Sequence, residues 1–158
     1  MDSITQTILS ILAGILISTV TSVITVRLAL SQFYSQKWWE RKASAYSNII
    51  EALYHVQNDL GSSFDDAIGE IILSEDRKKS LQEESRKGYA EIYKAENIGA
   101  FVISKEAAEC LTRLRKRLDN HEDHMSKTWE ENINNDFIAV RDCLEEFRSY
   151  AKRDLHVK

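Results

Sequence analysis

Two histidines in the C-terminal third of the chain have the residue type and spacing that suit transition-metal chemistry. They are His121 and His124, in the segment Asn120-His121-Glu122-Asp123-His124, with two carboxylates between them. Histidines at i and i+3 share a helix face, and imidazole with carboxylate ligands binds zinc and similar ions. A polar helix end or loop is the ordinary alternative for such a segment. We favour that alternative and predict no metal and no cofactor.

Other signatures of catalysis are missing from the sequence. It contains no Gly-rich phosphate-binding loop, no nucleophile elbow and no Cys-x-x-Cys pair. Cys110 and Cys143 lie on the apolar sides of their predicted helices, so we expect them to pack rather than react. We therefore predict no catalytic residue and a protein that is not an enzyme. An enzyme that uses His121 and His124 is the alternative.

A basic cluster is the third group with possible binding chemistry. It suits anionic lipid, nucleic acid or an acidic partner. We favour pairing with the chain's own acidic helices. The net charge of −4 argues against a broadly basic nucleic-acid binder. Basic and aromatic residues are not interleaved as in single-strand readers, so we expect no direct nucleic-acid binding. The cluster comprises Arg113, Arg115, Lys116 and Arg117.

The composition indicates that helices position these side chains. The 158 residues are 43% apolar and 29% charged, with no Pro, five Gly and two Cys. Because β-sandwiches and barrels need many turns, the lack of Pro and scarcity of Gly argue against them. Two Cys are too few for a disulfide scaffold or a four-Cys zinc site. The predicted fold class is all-α.

The first 30 residues have the pattern of a transmembrane helix. Ser3 to Val26 is a run of 24 residues without a charge. About 20 apolar residues cross a hydrocarbon core of ~30 Å, and lipid forces such a segment to be helical. A buried core helix and a cleaved signal peptide are the alternatives. Signal peptides carry a basic start and a cleavage site, and neither is visible, so we predict an uncleaved anchor at residues 1–30.

Charges around this segment predict its orientation. Basic residues follow the apolar run and none precedes it, so the positive-inside rule places the N-terminus outside and residues 31–158 in the cytoplasm. Aromatic residues after the run suit the headgroup zone, and packing on protein is the alternative for some of them. Both cysteines fall in the predicted cytoplasmic part, where we expect them to stay reduced. The predicted juxtamembrane residues are Arg27, Tyr34, Lys37, Trp38, Trp39, Arg41 and Lys42.

A stripe of small and hydroxyl side chains runs along the predicted anchor. Small residues four apart let helix backbones approach closely, so we predict a homo-oligomer formed through this face. One alternative is that each hydroxyl only bonds its own helix backbone. A further alternative is a wet pore lined by several copies. The stripe consists of Thr7, Ser10, Gly14, Ser18, Thr21, Ser22 and Thr25.

Residues 31–158 are predicted to form a cytoplasmic antiparallel helical bundle. The heptad spacing of Trp39, Tyr46, Leu53 and Leu60 continues the first helix, and Gly61 is its predicted C-terminal cap. A second helix is predicted to start at Ser62-Ser63 and Asp65-Asp66, and its apolar face comprises Phe64, Ile68, Ile71, Ile72 and Leu73. After it we predict a solvated helix or loop at 74–88 and a buried turn or extended link at 98–103. Two further helices are predicted, one capped by Ser104 that carries Ala107, Ala108, Leu111, Leu114 and Leu118, and a last one from Ile133 to Tyr150.

Three short runs after the anchor carry a family resemblance: Gln36-Lys37-Trp38-Trp39-Glu40-Arg41-Lys42, Ala45-Tyr46 and Ile49-Ile50-Glu51-Ala52-Leu53. Together they resemble a juxtamembrane signature of small single-pass proteins of the bacterial inner membrane, found in mobile and antiphage defence elements. The transmembrane effectors that accompany some retrons are examples. The resemblance extends over residues 32–53, which is about a seventh of the chain. It implies an effector that disturbs the inner membrane once a phage is sensed.

Two functions are therefore expected from the sequence. In the first, a cytoplasmic protein or ribonucleoprotein partner restrains the bundle, and its release lets the anchors cluster and disturb the membrane. In the second, the protein is a non-toxic membrane-tethered adaptor or scaffold that binds a cytoplasmic partner through its bundle. Both require the lipid bilayer as the first partner.

Overall fold

The computed structural model describes residues 2–98, 101–119 and 128–157, and their regular secondary structure is helical. No strand occurs within these ranges, so the all-α prediction is confirmed for them. The helices are α1 (Asp2–Ala67), α2 (Glu75–Ile98), α3 (Lys105–Leu118) and α4 (Trp129–Asp154).

The chain divides into two compact units. We call Met1–Glu40 the N-terminal unit and Arg41–Lys158 the C-terminal unit, and helix α1 supplies residues to both. The predicted division into an anchor at residues 1–30 and a cytoplasmic domain at 31–158 refers to a membrane, and it stays a prediction.

The N-terminal unit is a long apolar helix segment. Every residue from Gly14 to Trp39 is exposed. Within Gly14–Ala67, an 18-residue window of α1 has a mean hydropathy of 1.7, and none of that window is buried. By length and composition, this helix could span a membrane.

The C-terminal unit has a continuous apolar core. The predicted heptad stripe is buried at Tyr46 and Leu53, half-buried at Leu60, and exposed at Trp39 in the other unit. The Tyr46 and Phe147 rings lie 5.4 Å apart between their centres, which brings α1 and α4 together. Every helix contributes to this core, whose larger members are Tyr46, Ile49, Leu53, Val56, Leu81, Ile92, Leu111, Leu114, Val140, Leu144 and Phe147.

The predicted cap at Gly61 is wrong, because α1 continues to Ala67. A Cβ at Gly61 would lie 3.0 Å from Cε2 of Phe137, so this glycine serves close helix packing rather than a turn. After the end of α1, Gly69 has a left-handed backbone, at φ 77°. Gly69 N donates to Asp66 O at 3.3 Å, and Glu70 N donates to Asp65 O at 2.9 Å. This pair of bonds is a Schellman motif, which satisfies the last carbonyls of α1.

The predicted second helix from Ser62 is also wrong. Residues 62–67 belong to α1, and 68–74 form an irregular link in which Ile72 is 95% exposed. Asp66 does not cap a new helix. Its carboxylate accepts a hydrogen bond from Leu73 N at 2.9 Å and pairs with Lys78 Nζ at 2.8 Å, which folds the link back onto α1.

Helix α2 occupies the polar segment for which a solvated helix or loop was predicted. The segment is helical from Glu75, and Ser74 Oγ accepts from Arg77 N at 3.3 Å at its start. It is not wholly solvated, since Leu81 and Ser85 are buried. A Cβ at Gly88 would lie 2.6 Å from Ala52 O, so this glycine lets α2 pack directly against the backbone of α1.

The starts of α3 and α4 follow from local sequence. Ser104 is the N-cap of α3 and accepts from Ala107 N, as predicted. Thr128 caps α4 in a capping box with Glu131. The predicted link at 98–103 is buried only in part, because Ile103 is buried and Phe101 is exposed. Residues 99–100 lie outside the described ranges.

Candidate functional site

The small-residue stripe of α1 is the site predicted for association within a membrane. All its members from Gly14 to Thr25 are exposed, and a shallow groove of about 530 Å³ follows Ser18, Thr21, Ser22 and Thr25. A Cβ on Gly14 would meet nothing within 4 Å, so this glycine serves no contact with the side chains that the structure describes. The side chains of the predicted members Thr7 and Ser10 lie outside those that the structure describes.

The hydroxyl groups of this stripe are satisfied within α1. Ser18, Thr21, Ser22 and Thr25 each donate to a backbone carbonyl three or four residues earlier, at 2.8 to 3.0 Å. Such bonds allow Ser and Thr to lie in hydrocarbon without an unpaired donor. The predicted association through this face would therefore depend on small side-chain size and close backbone approach, and not on hydroxyl donors that need a partner.

The predicted juxtamembrane residues have two kinds of surroundings. Tyr34, Trp38 and Trp39 are exposed, with no part in the core. Lys37 Nζ pairs with Glu40 Oε2 at 2.7 Å, and Lys42 Nζ donates to Asp154 O at 3.4 Å. Arg27 and Arg41 are exposed. Lys42 therefore belongs to the structure of the C-terminal unit.

A polar node at Tyr46, which sequence reasoning did not predict, joins three helices of the C-terminal unit. The Tyr46 hydroxyl donates to Asp154 at the end of α4 and accepts from Ser104 N, the cap of α3, at 3.1 Å. Burial, together with the bond to Asp154, raises the pKa of Tyr46. Burial would raise the pKa of Asp154 too, but hydrogen bonds from Ser104, Tyr46 and Arg153 outweigh it and hold that pKa below its ordinary value.

The basic cluster of α3 is divided between two roles. Arg113 Nη2 lies 2.6 Å from Glu146 Oε1, and Arg115 Nε lies 2.7 Å from Glu96 Oε2. The second contact is an ion pair without an aligned hydrogen bond. Lys116 and Arg117 are exposed. The structure therefore brings two members of the cluster onto acidic residues of α4 and α2, and leaves two on the surface.

The Glu146 carboxylate accepts hydrogen bonds from two side chains, one on α4 and one on α3. Tyr150 donates to Glu146 Oε1 at 2.5 Å, and Arg113 donates to the same oxygen. The bond from Tyr150, followed by that from Arg113, holds the pKa of Glu146 below its ordinary value. This carboxylate is therefore ionised at neutral pH and neutralises one charge of the basic cluster.

Both cysteines are buried and free, and their sulfur atoms lie 3.3 Å apart between α3 and α4. The contact with Cys143, together with burial, raises the pKa of Cys110. A raised pKa keeps a thiol protonated and makes it a poor nucleophile. This agrees with the packing role expected for the two residues.

The predicted alternative metal pair, His121 and His124, lies outside the described residues. Within residues 2–98, 101–119 and 128–157, no group of three or more His, Cys, Asp or Glu side chains could hold a metal ion. His55 is the histidine nearest to carboxylates there, with Nδ1 3.3 Å from Glu84 Oε2 and Nε2 3.8 Å from Glu51 Oε1.

Comparison with protein-family models, with curated proteins and with solved structures found no match to this chain. The juxtamembrane resemblance therefore stays a prediction.

Proposed function

We propose that the protein is a membrane-anchored effector of a bacterial antiphage defence system. In this proposal the N-terminal segment of α1 crosses the inner membrane once. The N-terminus lies outside and the C-terminal unit lies in the cytoplasm as an antiparallel helical bundle. The observation that carries the proposal is the exposed apolar surface of α1.

The exposed apolar surface of α1 is large enough that its contact with water is strongly unfavourable. Nine large apolar side chains between Ile15 and Leu30 are about half exposed. At ~1.5–3 kcal/mol for each fully buried side chain, their transfer to hydrocarbon is favourable by on the order of 10 kcal/mol. A bilayer provides such an environment over the length of this segment. The basic residues after it support the proposed orientation.

The proposed activity is disturbance of the membrane, without a catalytic step. A cytoplasmic protein or ribonucleoprotein partner holds the C-terminal unit, and its release allows several anchors to associate through the small-residue stripe. Gly14, Ser18 and Ser22 have small side chains at intervals of four, which supports close backbone approach. Helix α1 supplies both this stripe and the buried Tyr46 and Leu53, so the anchor and the bundle share one helix.

Expression of the protein alone tests this activity. We expect induction to collapse the membrane potential, measured with a voltage-sensitive dye, and to stop growth. The triple variant Gly14→Leu, Ser18→Leu, Ser22→Leu should abolish the effect, since bulky side chains separate the helices. The matched control Val20→Leu, Val23→Leu changes the opposite face and should keep it. Unchanged potential and growth, with insertion verified, would count against the proposal.

The adaptor is retained as a second function because the stripe hydroxyls donate to carbonyls within α1 and need no hydrogen-bond acceptor on a second helix. An adaptor needs only an apolar span, whereas the effector needs the stripe. Replacing residues 8–26 with poly-Leu separates the two. The adaptor would keep partner binding and function in cells, and the effector would lose its effect on the membrane potential.

A further inference from the structure

The two cysteines of the chain meet at the contact between α3 and α4. Cys110 belongs to α3 and Cys143 to α4, and their sulfur atoms lie 3.3 Å apart. Each sulfur also lies near the backbone carbonyl oxygen of the other residue, at 3.8 Å for Cys110 Sγ and 3.9 Å for Cys143 Sγ. The two residues therefore lie directly opposite each other on the two helices.

The core holds the two thiols in this position. Cys110 is 2% exposed and Cys143 is 6% exposed, and each is followed by a buried leucine, Leu111 on α3 and Leu144 on α4. Neither thiol can turn away without disturbing this packing. A disulfide bond is about 2.05 Å long, so the two sulfur atoms need to approach by only about 1.2 Å to form one.

A side chain at the surface contacts the Cys110 sulfur. Glu146 Oε2 lies 3.5 Å from Cys110 Sγ, and 41% of the Glu146 side chain is exposed. Its ion-pair partner Arg113 is 56% exposed. Because exposed ion pairs contribute little to stability, movement of Glu146 away from Cys110 costs little. A small uncharged molecule can then reach the Cys110 sulfur from the solvent.

We propose that Cys110 and Cys143 are a reversible redox pair, which a hydroperoxide such as hydrogen peroxide oxidises to an intramolecular disulfide between α3 and α4. In the first step the Cys110 sulfur attacks the peroxide, the O–O bond breaks, and a sulfenic acid and one water form. In the second step the Cys143 sulfur attacks the sulfenic sulfur, the S–S bond forms and a second water leaves. The two sulfur atoms lose two electrons, which reduce the peroxide. A dithiol reductant reverses the reaction by thiol–disulfide exchange and is itself oxidised.

The surroundings of Cys110 set the rate of the first step. The contact with Cys143, together with burial, raises the pKa of Cys110, and the charge of Glu146 raises it further. Because the thiolate is the attacking species, this step is slow and requires sustained exposure to peroxide. The second step is fast, because the other thiol is already in contact. The pair therefore rests as the dithiol and packs in the core until peroxide accumulates.

The disulfide has a structural consequence for the C-terminal unit. It joins residues that lie 33 positions apart in the sequence and covalently connects α3 to α4. Such a crosslink restricts the unfolded chain and so stabilises the folded one. The inference concerns the C-terminal unit alone and is independent of the effector activity.

Peroxide treatment of the full chain in nanodiscs tests this inference. The protein is reduced with dithiothreitol, freed of reductant and treated with hydrogen peroxide, and its peptides are then mapped by non-reducing mass spectrometry. We expect one disulfide per chain, joining Cys110 to Cys143, that dithiothreitol removes. The oxidised protein should melt about 5 °C or more above the reduced one. Cys110→Ser and Cys143→Ser should each abolish this rise, which separates the disulfide from oxidation of methionine.

A change at Glu146 tests the mechanism without removing either thiol. Glu146→Gln removes the negative charge beside Cys110, so it should lower the pKa of that thiol and accelerate disulfide formation severalfold. The matched control Glu145→Gln changes the neighbouring exposed carboxylate and should leave the rate unchanged. Melting of each reduced variant verifies that it is folded.

Three outcomes would overturn the inference. The first is that both thiols of the folded protein stay free after sustained peroxide treatment, in the wild type and in Glu146→Gln. The second is a disulfide that joins two chains in place of the two helices. The third is an oxidised protein that melts no higher than the reduced one, since the two helices would then not be held by the bond.

Discussion

Two stretches of helix α1 contain the same kinds of apolar residue and have opposite surroundings. Leu16 is 66% exposed and Val20 is 56% exposed, whereas Leu53 and Val56 are 0% exposed. Helices α2, α3 and α4 provide the core around the second stretch, and no described residue buries the first. Residue type alone therefore does not predict burial within a helix.

Charge separates the two stretches better than hydropathy does. The first has no charged residue from Ser3 to Val26, whereas the second alternates its buried positions with Glu51 and Asp59. A helix with one apolar stripe packs on other helices, and a helix that is apolar all round needs an apolar environment on every side. This difference is the physical basis for proposing a membrane around one stretch, while the structure places the other in a protein core.

Truncation of matched leucines should give the largest difference between the stretches. Leu53→Ala creates a cavity in the core and should lower the free energy of unfolding of the C-terminal unit by ~2–5 kcal/mol. Leu16→Ala should leave that free energy unchanged, because Leu16 has no part in this core. Denaturant unfolding in detergent, followed by circular dichroism, measures both. Equal losses would contradict the comparison.

Alanine at two glycines should give the next largest difference. A Cβ at Gly88 overlaps Ala52 O at 2.6 Å, so Gly88→Ala should destabilise the C-terminal unit by ~1–3 kcal/mol through overpacking. Gly14→Ala meets nothing within 4 Å and should not destabilise the protein. Thermal melting of the two variants provides the measurement. A Gly88 variant as stable as the wild type would show that α1 and α2 are not in close contact.

The sequence predicts those features that depend on residues close together in the chain, and it misses those that depend on distant residues. The cap at Ser104 and the core positions Leu111 and Leu114 follow from local patterns and are confirmed. The end of α1 could not be predicted at Gly61, because the contact that decides the role of this glycine comes from Phe137, far along the chain. Helix-start residues such as Ser62 are overruled when tertiary packing continues the helix.

The candidate sites also divide into those that local sequence predicts and those that depend on contacts between distant parts of the chain. The small-residue stripe is visible as a repeat of four, but the partners of Arg113 and Arg115 are not visible, since Glu146 and Glu96 belong to other helices. The polar node at Tyr46 was missed for the same reason, because its partners Ser104 and Asp154 lie 58 and 108 residues further along the chain.

Loss of one hydroxyl should give a smaller effect than the core changes. Tyr46→Phe removes the donor to Asp154 and the acceptor of Ser104 N, and should cost ~1–2 kcal/mol of stability in the C-terminal unit. The matched control Tyr34→Phe changes an exposed tyrosine of the N-terminal unit and should cost nothing. Chemical denaturation compares the two. Equal stability of both variants would show that the node contributes nothing.

The smallest expected effect is a pH dependence within the C-terminal unit. In the folded protein the pKa of Asp154 lies below the ordinary value of 3.8. The ionised carboxylate therefore stabilises the fold above about pH 4. This stabilisation is lost as the pH falls through the pKa of the folded protein. Asp154→Asn should therefore lower the melting temperature at pH 7, and its difference from the wild type should shrink as the pH falls below about 4. Burial raises the pKa of Asp59, so Asp59→Asn should have the opposite sign and raise the melting temperature at pH 7. The same sign for both would contradict the assignment.

Alkaline carbonate extraction tests most directly whether the exposed stretch of α1 lies in a membrane. The account predicts that the full chain stays in the membrane pellet. A variant with Leu16→Lys, Val20→Lys and Ile24→Lys should move to the supernatant, since each charge at the centre of a span costs ~2.5–3.5 kcal/mol. Recovery of the unmodified full chain in the supernatant would contradict the account.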